Sequence, residues 1–511
     1  MPRIWRILDF RSIEVIDFIK QVLKIFCFLK VLKSALNVKK MEFDTIAALA
    51  TPPGTGGIGI IKISGKDAFS IANAIFQRSR PMRRDGNDES DAHGFFLKSH
   101  RLYYGHIVNP DTKKVLDEVL LAAMKAPLTY TREDVVEINT HSGHVVLASI
   151  LDLVLTAGAR LADPGEFTKR AYLNGRIDLT QAEAVIDIIN SRTEKSLEIA
   201  MAQMKGGLKS RIESIRNSLL AILTEIEAAI DFPENIEDLV EAGSIINILE
   251  QDVIVKLSEL VEQYESTRFL RDGLKMIVVG RPNVGKSSLM NRLIQEDRAI
   301  VTPIPGTTRD LIEETLNIHG IPVIIADSAG LHETQDPVEI IGMEKTRDYL
   351  QRSDLILFMI DAKDPFTKED QHIYQTIAEK RIILVINKID LVKESPELEV
   401  PETWNKIPVS KVSALYGNGL SSLKDLIVKY TIGEHCLEVK NTIIPNLRHR
   451  NALLRSLELS ISAKDEIRKG VSFELIAIDV QEALNQLGEI IGIVDKEDVI
   501  DHIFSRFCIG K

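Results

Sequence analysis

Hydrophobic positions along this 511-residue chain change their period three times. From Met41 to about Ala159, short apolar runs alternate with polar turns. GIGIIKISG and EVLLAAMKA are bounded by turn residues, and DVVEINTH alternates as a half-buried strand does, so all three predict strands. The stretch RSRPMRRDGNDESDAHG is polar and charged and predicts a surface loop. From Gln181 to about Glu265 the period becomes helical. Ala182, Val185, Ile186 and Ile189 fall on one helix face, and Ile215, Leu219, Ile222, Leu223, Ile226 and Ile230 make a second stripe. From about Asp272 to Tyr430, KMIVVG, PVIIAD, LILFMID and IILVIN are nearly continuous apolar runs separated by helical stretches. Such runs predict strands buried on both faces of a parallel sheet. After Glu434 the helical period returns. A helical region split in this way predicts an inserted α/β module, looped out from two helical halves that pack together.

Length allows about two to four domains. Hydrophobic residues at 45% and charged residues at 27% are those of a globular protein. The net charge of -11 excludes a generally basic nucleic-acid coat but leaves room for a local basic patch. Cys27, Cys436 and Cys508 are too scattered for a disulfide framework or a metal site, which points to a reducing cytoplasm. No uncharged apolar run is long enough for a transmembrane helix, so no stable membrane association is expected.

Residues 1–40 stand apart. VLKIFCFLKVLKSALNVKK reads as a basic amphipathic helix. Asp9, Glu14 and Asp17, with no small-residue cleavage site, weaken a signal or transit reading. A dispensable extension or an over-long start is the first reading, and a surface-binding helix the alternative. Cys508 stands fourth from the end and imitates a prenylation box, but Lys511 is a poor last residue for one.

GRPNVGKSS, from Gly280 to Ser288, follows a predicted strand and opens a predicted helix, the context a phosphate-binding loop requires. Its glycines let the main-chain N–H groups of Asn283, Val284, Gly285, Lys286, Ser287 and Ser288 approach phosphate oxygens at a helix N-terminus. The Lys286 ammonium would reach the β- and γ-phosphates, and the Ser287 hydroxyl would ligate Mg²⁺. DSAG places Asp327, Ser328, Ala329 and Gly330 after the strand PVIIAD, where a carboxylate on the Mg²⁺ side and a γ-phosphate-sensing amide belong. NKID ends the strand IILVIN. There Asp390 can accept hydrogen bonds from guanine N1 and N2, Asn387 would contact the base edge, and the Lys388 stem would cover the ring. A backbone N–H near Ser413 and Ala414 would meet guanine O6. PGTTRD supplies Thr308 for Mg²⁺. Five elements in this order predict GTP binding and disfavour ATP. Leu331 follows DSAG, and an apolar side chain cannot orient the attacking water.

Outside this module the chain resembles the MnmE (TrmE) family of tRNA modification GTPases. ATPPGTGGIGIIKISG, YTREDVVEINTHSGH, PGEFTKRAYLNGRIDLTQAEAV, AAIDFPE and the terminal FCIGK carry the resemblance, which covers Met41 to Lys511. It implies a multidomain fold of α/β plus α type. The parts are a β-rich tetrahydrofolate-binding domain at 41–160, a helical domain at 161–270 and 433–511, and an inserted Ras-like G domain with a mainly parallel sheet at 271–432. It implies a homodimer working with the flavoprotein MnmG (GidA), which carries FAD, as a heterotetramer. Together they add a carboxymethylaminomethyl-type group to C5 of the wobble uridine, position 34, of certain tRNAs. The carbon comes from 5-formyl- or methylene-tetrahydrofolate.

The resemblance also assigns residues. K⁺ would be held by Asn283, Thr302, Ile304 and Thr307, and G-domain dimerisation would order the loop containing Thr302, Pro303, Ile304, Pro305, Gly306, Thr307 and Thr308 around GTP. Glu339 would orient the attacking water through a second water, replacing the missing glutamine, with Lys286 beside the phosphates. Lys62, Glu137, Arg176 and Lys511 would hold the folate, with Cys508 brought beside it. Lys62 stands where Arg is common, so planar bidentate contact is lost there. HSGH carries Ser142 in place of a glycine. A ribosome-assembly regulatory GTPase, without group-transfer chemistry, is the rival reading; it needs neither the N-terminal blocks nor the terminal Cys-Ile-Gly-Lys.

Overall fold

The computed structural model describes residues 44–52, 54, 56–79, 97–231, 242–297, 313–327, 349–392, 401–431, 433, 444–494 and 497–511. The N-terminal extension, the loop expected around 78–94, Thr302 to Thr308, Ser328 to Gly330, Leu331 and Glu339 lie largely or wholly outside them.

The first domain is built on a seven-stranded sheet in the order β3-β4-β5-β6-β2-β1-β7. Its elements are β1 (Ile46–Leu49), β2 (Ile58–Ser64), α1 (Ala68–Ile75), β3 (Phe76–Arg78), β4 (Arg101–Val108), β5 (Val115–Met124), β6 (Val135–His141), α2 (His144–Thr156) and β7 (Arg160–Leu161). The sequence pattern shows the strands but not the two helices, which pack on the sheet through Ile71, Ile75, Ile150 and Val154. Alternate residues of β2 and β6 point into this core: Ile61, Ile63, Val136 and Ile138 are all fully buried.

This domain runs past the expected boundary at residue 160. β7 pairs with β1, and α3 (Glu166–Leu173) is bolted to the start of β1. The buried Arg170 guanidinium donates to the Asp44 carbonyl at 2.6 Å, to its carboxylate at 3.0 Å and to Glu166 at 2.8 Å. Arg160 hydrogen-bonds the same Asp44 carboxylate and, against the opposing effect of burial, holds its pKa at about 2.

Helices follow: α4 (Leu179–Asn190), α5 (Glu194–Met204), α6 (Gly207–Asp231), α7 (Ala242–Ile248) and α8 (Val255–Asp272), with a π-helical stretch, Leu249–Ile254, between the last two. The stripe from Ile215 to Ile226 on α6 is buried, as its spacing predicts. On α4 the expected stripe holds for Ala182, which is buried, and for Val185 and Ile186, which pack beside it, but Ile189 at its end is exposed. Glu183, next to the stripe, is buried in a polar cluster.

A six-stranded sheet, β13-β12-β11-β8-β10-β9, forms the third layer. It comprises β8 (Leu274–Val279), α9 (Lys286–Asp297), β9 (Glu313–Ile318), β10 (Ile321–Asp327), β11 (Leu355–Asp361), α10 (Lys368–Ile377), β12 (Ile382–Asn387), β13 (Val409–Lys411) and α11 (Leu420–Thr431). All its neighbours are parallel except β9 and β10. Every residue of β12 is buried, which accounts for its unbroken apolar run.

The chain then returns to helices α12 (Leu447–Arg468), α13 (Phe473–Ile491) and α14 (Glu497–Ser505). Leu453, Ala463, Ile476, Val480 and Leu487 share one core with Leu208, Ile212, Leu219 and Leu257. The two halves of the helical region thus fold as one body, with the six-stranded sheet inserted between them in sequence. No helix among the described residues is long and apolar enough to cross a membrane.

Candidate functional site

The parallel sheet ends in a cluster of loops at the C-terminal edge of β8, β11 and β12. Gly280 leaves β8 where a Cβ would lie 2.3 Å from the Met359 carbonyl oxygen, so only glycine lets the loop pass this close to β11. Gly285 has φ +102, and a Cβ there would lie 2.3 Å from the Asn387 amide nitrogen. Between them Asn283 takes a left-handed φ of +61. Lys286 opens α9 and turns its ammonium back onto the loop, donating to the carbonyls of Gly280 (2.8 Å) and Arg281 (2.9 Å). Ser287 and Ser288 are exposed in the first turn of α9, and Val284 is buried under it. Asp327 closes β10, whose main chain pairs with Val278 of β8. The glycine-rich loop, the end of β10 and the NKID loop are therefore gathered at one sheet edge.

Asn387 is the strut of this edge. Its buried amide donates to the Val284 carbonyl at 2.8 Å and accepts the Ala414 N–H at 2.9 Å. One side chain thereby ties the glycine-rich loop to the Ser413–Ala414 loop. The amide nitrogen carries a second hydrogen with which it can also donate to a bound base. Asp390 is exposed and accepts from the Ser413 hydroxyl at 2.5 Å. Lys388, with φ +66, donates to the Asn283 carbonyl at 2.6 Å and to Asp361 at 2.7 Å. Asn283, Lys286, Asn387, Lys388, Asp390, Ser413 and Ala414 are all brought to this edge.

The second constellation lies on the first sheet. Lys62 on β2 and Glu137 on β6 are direct cross-strand partners, their charged ends 3.6 Å apart. Tyr130 has two cations near its ring, the Arg176 guanidinium 4.6 Å and the Lys62 ammonium 5.6 Å from its centroid. Lys62 is also 5.6 Å from the Phe167 ring. Burial pushes the Tyr130 phenol up, opposed by its hydrogen bond with Thr168 and by the charge of Arg176. Sequence reasoning named the charged residues here and missed Tyr130 and Phe167, although both lie inside the quoted motifs.

Ser142, the departure from glycine, accepts the Gly56 N–H at 2.9 Å and donates to the Gly56 carbonyl, pinning the loop before β2. The C-terminal tail packs against the same domain. A Cβ at Gly510 would lie 2.3 Å from the Leu49 carbonyl, and one at Gly165 would lie 2.6 Å from that of Phe504. Leu49 is the neighbour of Ala48, which pairs with Lys62, so the tail lies on the strand beside the Lys62–Glu137 pair. Cys508 and Lys511 are both exposed on this tail.

A third cluster carries no motif. Glu183 on α4 is buried and accepts from Asn446 (2.9 Å), Arg448 Nε and Nη2 (3.0 and 2.9 Å) and His449 (2.6 Å). The Asn446 N–H donates to His449 Nδ1, so the proton that His449 gives Glu183 must sit on Nε2 and the ring is neutral. Burial, with the charges of Arg448 and Arg271, pushes the His449 pKa down to about 4, against the attraction of Glu183. One turn along α4, Asp187 accepts from Arg271 at 2.5 Å. The two ends of the inserted module are thus held by one helix.

Residues 45–176 match the family described as the GTP-binding protein TrmE N-terminus, and residues 179–508 match the MnmE helical domain. A tRNA modification GTPase MnmE of Thermoanaerobacter pseudethanolicus is 45% identical over 473 residues, covering 92% of this chain and 100% of the relative. The protein of that name from Geotalea uraniireducens is 44% identical over 472 residues, 92% of this chain and 99% of its own. That of Alkaliphilus oremlandii is 43% identical over 468 residues, again 92% and 99%. Two family matches that together span both sheets and all the helical layers, and relatives aligned over nearly their whole length, place this chain in the MnmE family of tRNA modification GTPases.

Proposed function

We propose that this protein hydrolyses GTP in the service of tRNA modification. The observation that carries the reading is the Asn387 strut, which stitches the glycine-rich loop to the Ser413–Ala414 loop. A guanine base and its phosphates would be gripped by one connected frame. Asp390 reads guanine N1 and N2, the Ala414 region meets O6, and the Lys388 stem covers the ring. Lys286 exchanges its loop carbonyls for phosphate oxygens, and Gly285, Ser287 and Ser288 present donors to the same anion.

The oxygen-rich donor set suits hard cations, and Ser287 is exposed where Mg²⁺ is required. Mg²⁺ would be held by Ser287 and Thr308, and K⁺ by Asn283, Thr302, Ile304 and Thr307. Both supply positive charge beside the phosphates. Glu339 orients the attacking water. Two G domains close on each other within a homodimer.

In the same reading the first domain binds a tetrahydrofolate derivative. Glu137 accepts from the amide–amine edge of the pterin, and Lys62, Arg176 and Lys511 meet its carbonyl and carboxylate oxygens. Tyr130, with the Arg176 and Lys62 charges near its ring, adds an aromatic surface beside them. Cys508, exposed on the docked tail, would assist at this surface. With an FAD-carrying MnmG partner, the chain adds a carboxymethylaminomethyl-type group to uridine 34 of certain tRNAs in the cytoplasm. The N-terminal domain supports this reading over a ribosome-assembly regulator, which has no use for it.

The test pairs two measurements. GTP turnover should rise severalfold when K⁺ replaces Na⁺, and wobble uridines of a strain lacking the protein should lose the modification. Intact wobble nucleosides in that strain would overturn the tRNA role, and turnover with ATP equal to that with GTP would overturn the nucleotide assignment.

A further inference from the structure

The two left-handed non-glycine residues of the nucleotide edge, Asn283 at φ +61 and Lys388 at φ +66, are joined through one ammonium group. Left-handed backbone is costly for a residue such as Lys388 and needs neighbours to enforce it, whereas Asn283 is of a type that tolerates it more readily. Asn283 sits in the glycine-rich loop and Lys388 in the base-reading loop, 105 residues apart. The Lys388 ammonium reaches the Asn283 carbonyl at 2.6 Å, and it is aimed there by Asp361, whose Oδ2 accepts from it at 2.7 Å. Asp361 is the last residue of β11 and pairs in register with Asn387. Its other oxygen accepts the Lys363 N–H at 2.9 Å, so the carboxylate is fixed at both ends.

Burial alone would raise this carboxyl, but the hydrogen bonds from Lys388 and Lys363 outweigh it and hold it below the usual carboxylate range. Asp361 is therefore charged at neutral pH. The segment after β11 also grips the glycine-rich loop from its other flank. Arg281 donates to buried Asp370 at 2.8 Å and to the Asp364 carbonyl at 2.6 Å. The loop is thus clamped on both sides by one stretch of chain that carries none of the recognised nucleotide motifs.

We propose that Asp361 is a positioning residue for the nucleotide: by holding the Lys388 ammonium on the Asn283 carbonyl, it keeps the phosphate-binding loop in its left-handed form and sets how long a guanine nucleotide stays bound. The proposal rests on the GTP reading above, and Asp361 itself touches no part of the ligand. It also gives Lys388 a second task. Its stem covers the base while its charged end braces the loop that meets the phosphates, so base and phosphate contacts are coupled through one side chain.

Asp361→Asn tests this, because the amide keeps the size and the oxygen that Lys363 uses while removing the charge that aims Lys388. Dissociation of a fluorescent GDP analogue from the full-length variant should be about tenfold faster than from the parent chain, the effect of losing one charge-assisted hydrogen bond. The melting temperature without nucleotide should stay within about 2 °C, because the loop is solvent-facing and little core is touched. Asp361→Glu should recover most of the loss. A dissociation rate within twofold of the parent overturns the proposal. So does a faster rate accompanied by a melting temperature more than about 5 °C lower, since the effect is then on the fold. Failure of Asp361→Glu to slow release relative to Asp361→Asn overturns it as well. A parent chain that binds no guanine nucleotide overturns the GTP reading together with this one; tight parental binding with an unaffected Asn variant overturns this one alone.

Discussion

At the nucleotide edge, Lys286, Asn387 and Lys388 donate to main-chain carbonyls of residues 280–284. At the helical junction, by contrast, Glu183 is held by the side chains of Asn446, Arg448 and His449. A main-chain carbonyl is present whatever residue occupies the position, so the first region works as a local device whose shape is fixed by glycines and a few donors. The second depends on the identities of residues more than 260 positions apart, all of which must be right together. Removing a group from the first should alter ligand residence, whereas removing one from the second should alter folding.

The largest effect expected from this contrast is at Glu183. Glu183→Ala leaves Arg448 and His449 without their buried acceptor, and such a loss costs about 3–5 kcal/mol. Urea unfolding should register it in full, while GDP affinity of the protein that remains folded should change less than twofold. A large fall in affinity instead would mean that the two regions are one system.

Next in size is a pH effect confined to the junction. His449 stands at about 4 in the fold against an ordinary 6.5. As pH falls the unfolded chain takes up the proton first, so this contribution is complete above 6.5 and is lost between 6.5 and about 4. The shift corresponds to something on the order of 3 kcal/mol. Glu183, held low in the fold, adds its own loss only below its ordinary 4.5. Unfolding midpoints at pH 7.5 and pH 5 should therefore separate in the parent chain and converge in His449→Gln; an unchanged separation in that variant would assign the effect elsewhere.

The smallest is at the nucleotide edge. Asn387→Ala unties the two loops and leaves the Ala414 N–H without its acceptor, a loss of about 1–3 kcal/mol. It should appear as weaker guanine-nucleotide binding. A loss found only in unfolding, with affinity intact, would erase the distinction between the regions.

The same contrast explains what could be read in the sequence. Gly280, Gly285 and Lys286 are legible because phosphate chemistry demands those residues at that spacing, and the structure adds what each glycine avoids, Met359 in one case and Asn387 in the other. The strands of both sheets are legible because burial on one face or two writes a period into the chain. Asn387 is legible as part of a motif, but its bonds to Val284 and Ala414 are not, since nothing local encodes which loop it will brace. Glu183 is illegible because a buried carboxylate in a helical stripe reads as a solvated one until its distant partners are known. The stripe on α4 is legible from Ala182 to Ile186 and fails only at Ile189, because periodicity gives a face but not how far along the helix its partner extends. Tyr130 escapes because an aromatic ring approached by two cations has no spacing rule, only geometry.

The pairings of Asp187 with Arg271 and of Glu183 with Asn446 lie one helical turn apart on α4. The points where the chain departs for the parallel sheet and comes back from it are therefore neighbours in space. A module joined at two adjacent points can be excised or exchanged without redrawing its host. A short glycine–serine bridge from Arg271 to Asn446 should close the helical body on itself, and the same doorway would accept a foreign nucleotide-binding cassette whose own ends lie close together.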